Sequence, residues 1–137
     1  MSGICAQLVE EYVERVWNEA DLDALDALTS DGFVYRLGGQ PPRDAAATGA
    51  FVRGVHVAFP DWRVEIRDIV AGPDRVAVRW TGSATHQGPF HGIDPTGRRV
   101  EVSGMNFYAV EGGRISAEWE QMDSLGLLHQ LGAADAD

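Results

Sequence analysis

Ile4, Leu8, Val9, Tyr12, Val13, Val16 and Trp17 recur at helical spacing with Glu10, Glu11, Glu14 and Arg15 between them. The chain is therefore expected to open on an amphipathic helix with one buried stripe. Asp21 then stands where an N-cap would, ahead of a short helix carrying Leu22, Leu25 and Leu28. A turn at Ser30–Gly32 leads to a brief strand, Phe33–Tyr35, and a Gly/Pro loop. Asp44 caps a third helix through Phe51, Val52, Val55 and Phe59, which Pro60 stops.

After Pro60 the period changes from helical to alternating. Trp62, Val64 and Ile66 alternate with Arg63, Glu65 and Arg67, and a Gly72-Pro73-Asp74 turn separates this strand from one starting at Arg75. That second strand runs through Val76, Val78 and Trp80 towards His86. A long loop follows, then strands over 100–110 and 115–122 joined by the Gly112-Gly113 turn, and a short helix at 125–131. Helices first and an antiparallel meander afterwards predict an α+β domain whose single sheet curls around its helices and encloses a pocket.

A length of 137 residues, 45% of them hydrophobic, suits one domain spanning 1–137, its terminal AADAD too polar to pack. The 21 acidic and 11 basic residues give a net charge of −10. Such a surface repels phosphate backbones and anionic lipid, so neither nucleic acid nor membrane is an expected partner. One cysteine, an acidic opening segment without a signal-peptide pattern, and no apolar run of about 20 residues lead us to expect a cytoplasmic protein. His86 and His91 flank a Gly/Pro loop, and His56 and His129 stand alone, so no metal-ligand spacing is present; the loop glycines also lack phosphate-binding spacing. No cofactor is implied.

The segments AFPDWRVEIRDIV, DRVAVRW, ATHQGPFHGIDPTGRRV and GRISAEWEQMDSLGLLHQLG carry a closer likeness. In them the chain resembles the SnoaL-like polyketide cyclases, within the nuclear transport factor two-like superfamily, along nearly its whole length. The resemblance implies a cone-shaped curved sheet around N-terminal helices. It also implies a cofactor-independent ring-closing enzyme of the isomerase or lyase type, acting in bacterial secondary metabolism such as antibiotic biosynthesis, and pairing as a homodimer. The family's acid/base aspartate, just after the tryptophan of the last strand, corresponds to Glu120 after Trp119, and a family histidine is replaced by Asn106.

Aldol-type closure requires a base for a proton alpha to a carbonyl, a donor for the developing oxyanion, and exclusion of water. Glu118 and Glu120, two apart and so about 7 Å apart on one strand face, would raise one another's pKa if buried. Alternation alone leaves open a wet outer face for both; the resemblance turns Glu120 inward. His86 is in phase with Val78 and Trp80 and is a candidate proton donor, or a structural histidine. Asn106 is a candidate for orienting a carbonyl, Tyr108 a candidate contact or core aromatic, and Gly104 a space for ligand or a crossing helix. Tyr35 is expected at the pocket mouth, and Trp80 in the wall against a hydrophobic small-molecule substrate. Two other activities compete with the aldol reading: opening of an epoxide by an internal hydroxyl or by water, with His86 and Glu120 as the pair, and non-catalytic storage of a small molecule.

Overall fold

The computed structural model describes residues 2–132, so the AADAD tail lies outside the described residues. Helix α1, Ser2–Tyr12, widens into a π-helical segment, Val13–Asn18, that keeps Val13, Val16 and Trp17 buried. Helices α2 (Leu22–Leu28) and α3 (Ala45–Ala58) begin at aspartate caps: the Ala24 amide donates to Asp21 at 3.1 Å and the Ala47 amide to Asp44 at 2.9 Å. Asp123 does the same for α4, Ser124–Gln130.

Strands β1 (Thr29–Leu37), β2 (Arg63–Ala71), β3 (Arg75–Thr85), β4 (Arg99–Glu111) and β5 (Arg114–Met122) form one curved, unclosed sheet in the order β1-β5-β4-β3-β2. The meander β2 to β5 is antiparallel throughout. The first strand is longer than its apolar triplet suggests and pairs with β5 in parallel, Tyr35 opposite Glu118 and Leu37 opposite Glu120. A long-range pairing of this kind leaves no local trace in sequence.

Period-two alternation decides what faces the helices. Asn106 on β4 lies between Val78 of β3 and Glu120 of β5, while Tyr108 lies between Val76 and Glu118. These two rows turn inward and are buried, while Met105, Phe107 and Trp119 between them are exposed on the outer face. A bulge in β2 between Ile66 and Asp68 lets the sheet bend.

Gly104 is explained by packing. A Cβ there would sit 2.5 Å from Cζ2 of the Trp80 indole and 2.9 Å from the Gln121 carbonyl oxygen, so the glycine admits Trp80 and leaves no space for ligand or helix. Trp80 thereby lies across the sheet and reaches Asn106. Gly104→Ala is expected to lose about 1–3 kcal/mol of stability in urea unfolding by overpacking. Gly39→Ala, at a site with open space and no positive φ, should stay within about 0.5 kcal/mol. Equal midpoints for the two variants would refute this account of Gly104.

Candidate active site

Two carboxyl groups meet inside the sheet, and every oxygen bond they make comes from a buried side chain. The Tyr12 hydroxyl donates to Glu118 Oε1 at 2.6 Å and Asn106 Nδ2 donates to Glu118 Oε2 at 2.8 Å. Tyr35 donates to Glu120 Oε1 at 2.9 Å, and the same Asn106 amide reaches that oxygen at 3.2 Å. Trp80 Nε1 donates to Asn106 Oδ1 at 2.8 Å. An indole N–H can only donate, so this bond fixes which end of the amide faces the acids. Helix α1 therefore holds one acid through Tyr12, β1 the other through Tyr35, and Asn106 bridges them.

Burial dominates the titration of the pair. Glu118 is fully buried and Glu120 retains 8% exposure. Loss of solvent, with the Glu120 charge alongside, pushes Glu118 up to about 8, against the pull of its hydrogen bonds from Tyr12 and Asn106. Burial also raises Glu120, opposed by the Tyr35 and Asn106 hydrogen bonds and by the positive charge of Arg43. The Glu120 charge is among the causes that raise Glu118, and no Glu118 charge is among those acting on Glu120, so of the two Glu120 is the acid that ionises first. Burial followed by neighbouring carboxylate charge drives Tyr12, Tyr35 and Tyr108 well above the ordinary phenol value, so they remain donors.

The cavity beside these groups measures about 30 Å³, room for only a few waters at most. Trp17, Trp62, Val64 and Trp80 fill the space that a ring system would need. Trp17 and Trp62 also bring indole N–H groups that are buried without a partner among the described residues. Buried donors of this kind are rare in native proteins, and here both belong to residues that line the cavity of the carboxyl pair.

Glu118, Glu120, Asn106, Tyr108 and Trp80 thus line one cavity, and Tyr35 joins them as a fully buried donor away from any mouth. His86 does not line it. It has the inward phase, but eight residues beyond Val78 along β3 correspond to roughly 26 Å. There its Nδ1 accepts from the Thr96 amide at 3.1 Å, and its ring packs 5.5 Å from that of Phe59. Tyr12, Trp17, Trp62 and Arg43 were not identified as functional from sequence, because a stripe aromatic and a loop arginine have no distinctive spacing. Among the described residues no group of three or more His, Cys, Asp or Glu is placed to hold a metal ion.

Comparison with known proteins agrees with this geometry. The family model described as SnoaL-like polyketide cyclase matches residues 7–131. Among solved structures, IdmH from Streptomyces antibioticus is 31% identical with a TM-score of 0.82, covering 93% of this chain and 97% of its own. TsrD from Streptomyces laurentii is 30% identical with a TM-score of 0.82, covering 96% of each chain. AclR from Streptomyces galilaeus is 31% identical with a TM-score of 0.80, covering 96% of this chain and 83% of its own. No match is found among curated proteins.

Proposed function

From the premise that the chain belongs to the SnoaL-like polyketide cyclase family, we propose that it closes a ring on a polyketide-type intermediate by aldol-type acid/base chemistry without a cofactor. The observation that carries this reading is the pair of buried carboxyls bridged by Asn106 in a small apolar cavity, both raised by burial. The Glu120 carboxylate removes the proton alpha to a carbonyl, and the electron pair moves onto the carbonyl oxygen. The enolate carbon then attacks a second carbonyl of the same molecule, and the proton held by Glu120 passes to the new alkoxide. The step is an isomerisation; later loss of water makes it a net lyase reaction.

The Asn106 amide nitrogen is taken up by the two acids and the Tyr108 hydroxyl, so Asn106 positions the carboxyls and the unpartnered Trp17 and Trp62 N–H groups serve the oxyanion. His86 has no part in the step. The substrate is a hydrophobic small molecule, and the work belongs to cytoplasmic secondary metabolism in a bacterium; among the described residues no helix is long and apolar enough to cross a membrane.

The unequal titration of the pair also favours a second reading. A neutral Glu118 beside an ionised Glu120 provides an acid for an epoxide oxygen and a base for a hydroxyl or water. Trial substrates separate the two: a poly-carbonyl compound with an activated methylene against an epoxide bearing a nearby hydroxyl. Turnover of only the epoxide replaces the first reading by the second, and turnover of neither leaves a small-molecule carrier.

The protein is further proposed to pair as a homodimer through the outer sheet face, where Val70, Met105 and Phe107 are exposed and Phe107 packs 5.8 Å from Trp119. Light scattering is expected to give the mass of two chains, and Phe107→Glu to give one. A wild-type monomer refutes the pairing.

A further inference from the structure

A second concavity opens one aromatic layer away from the carboxyl pair. It measures about 460 Å³, within the range of small-molecule sites, and is walled by Leu37, Phe51, Phe90, Ile93, Met122 and Leu127. The two spaces are linked by ring contacts. Trp17, which lines the inner cavity, lies 6.1 Å from Phe51 of the groove, and Tyr35, which holds Glu120, lies 5.6 and 6.0 Å from these two rings.

The polar part of the groove is one-sided. Its polar side chains are Gln40, Arg43, His91 and Ser124, each able to donate a hydrogen bond, and no acid lines it although the protein carries 21. Arg43 is held in place with one donor left over. Its backbone is bridged to Tyr35 by two hydrogen bonds, of 2.8 and 2.9 Å. Its guanidinium carbon stands 4.2 Å from the Phe51 ring centroid, and Nη2 donates to Gln40 at 2.8 Å. Nη1 is buried with no acceptor among the described residues. Leaving a charged donor in that state carries a penalty that a bound acceptor would remove. His91 also lines the groove, carried at φ 48 with Gly92 at φ 76 in the two-residue turn that the Phe90–Ile93 backbone hydrogen bonds close.

We propose that this groove binds a rigid apolar small molecule through a carboxylate, with the Arg43 guanidinium turning from the Phe51 face to meet it. The identification of that molecule with the substrate rests on the cyclase reading above. The apolar body would lie over Phe51, Phe90 and Leu127, with its far end against the Trp17–Tyr35 layer that borders Glu120. A net charge of −10 disfavours anions in general, so a preference for the charged ligand has to arise locally.

The probes are 2-naphthoate and its neutral isostere 2-naphthamide, titrated calorimetrically at pH 7.5 against wild type, Arg43→Gln and Glu120→Gln. Wild type and Glu120→Gln are expected to bind the acid about tenfold more tightly than the amide, a typical worth for one charge-assisted hydrogen bond. Arg43→Gln should bring the two affinities within about twofold while retaining amide binding, which also reports that the variant is folded. If Arg43→Gln does not fold, the Arg43 Nε–Hε resonance of wild type decides instead: it should move with 2-naphthoate and stay with 2-naphthamide. Equal affinities in wild type, a preference surviving in Arg43→Gln, or an unmoved resonance overturns the inference. None of these readouts involves turnover, so loss of activity in Glu120→Gln tests the cyclase reading separately.

Discussion

Glu120→Gln is expected to lower turnover of a cyclisable poly-carbonyl substrate by about a thousandfold, or about 4 kcal/mol of transition-state stabilisation, with ligand affinity changed by no more than about threefold. The substitution keeps the side-chain volume, and its amide oxygen can still accept from the Tyr35 hydroxyl that now donates at 2.9 Å. It removes the carboxyl of the pair that ionises first, and with it the proposed proton acceptor. A packing role for Glu120 would therefore survive the change and a proton-accepting role would not. A second consequence reports on the site without any substrate. The Glu120 charge is one cause of the raised Glu118 titration, so in the variant the Glu118 carboxyl should titrate below its wild-type value of about 8. Carboxyl-resolved NMR measures that shift. A variant that keeps a tenth or more of wild-type turnover excludes Glu120 as the base.

The residues that were legible in sequence are those whose position follows from short-range rules. Asp21 and Asp44 read as caps because an aspartate before an apolar periodic run accepts from the first helical amides. Glu118, Glu120, Asn106 and Tyr108 read as two aligned pairs because β4 and β5 alternate without interruption between Gly104 and Met122 except at one shift near Val110. What failed were inferences needing distance or partnership. His86 has the right phase on β3 and the wrong height, since phase repeats every two residues while distance accumulates. Gly104 reads as empty space until Trp80 is placed over it. Tyr12 belongs by spacing to a buried helical stripe, and only the packing of α1 against β5 shows that its hydroxyl ends on Glu118. The parallel pairing of β1 with β5, which brings Tyr35 to Glu120, joins segments about 80 residues apart and rests on no turn.

The helix and the edge strand thus have a chemical task besides closing the core. Tyr12 and Tyr35 approach the acids from different elements, and each donates to a different carboxyl. Arg43, anchored to Tyr35, adds its charge on the Glu120 side. The two acids are two residues apart on one strand and equivalent by sequence; these contacts make them unequal, so that Glu118 keeps its proton to higher pH than Glu120.

Glu118→Gln is expected to separate the stability of the protein from alkaline pH. In the folded chain Glu118 keeps its proton up to about 8, whereas in the unfolded chain it releases it near the ordinary 4.5. Between those values the native state binds more protons than the unfolded state, so wild-type stability falls as pH rises through this window and levels off above it. Glu120, also raised by burial, adds a contribution of the same sign. Carboxylates held low at the surface, such as Asp21 and Asp61, act in the opposite direction and only at acid pH. The glutamine variant has nothing to ionise at position 118. Relative to its own stability at pH 6, it should therefore lose less than wild type by pH 9, with a difference of about 2–3 kcal/mol in urea unfolding. The same proton governs turnover if Glu118 must be neutral for Glu120 to act as base beside it: wild-type kcat/KM should decline above about pH 8, and the decline should vanish in Glu118→Gln even if its plateau is lower. Parallel stability curves for the two proteins would mean that Glu118 is already ionised in the folded state, and the division of roles between the two acids would have to be abandoned.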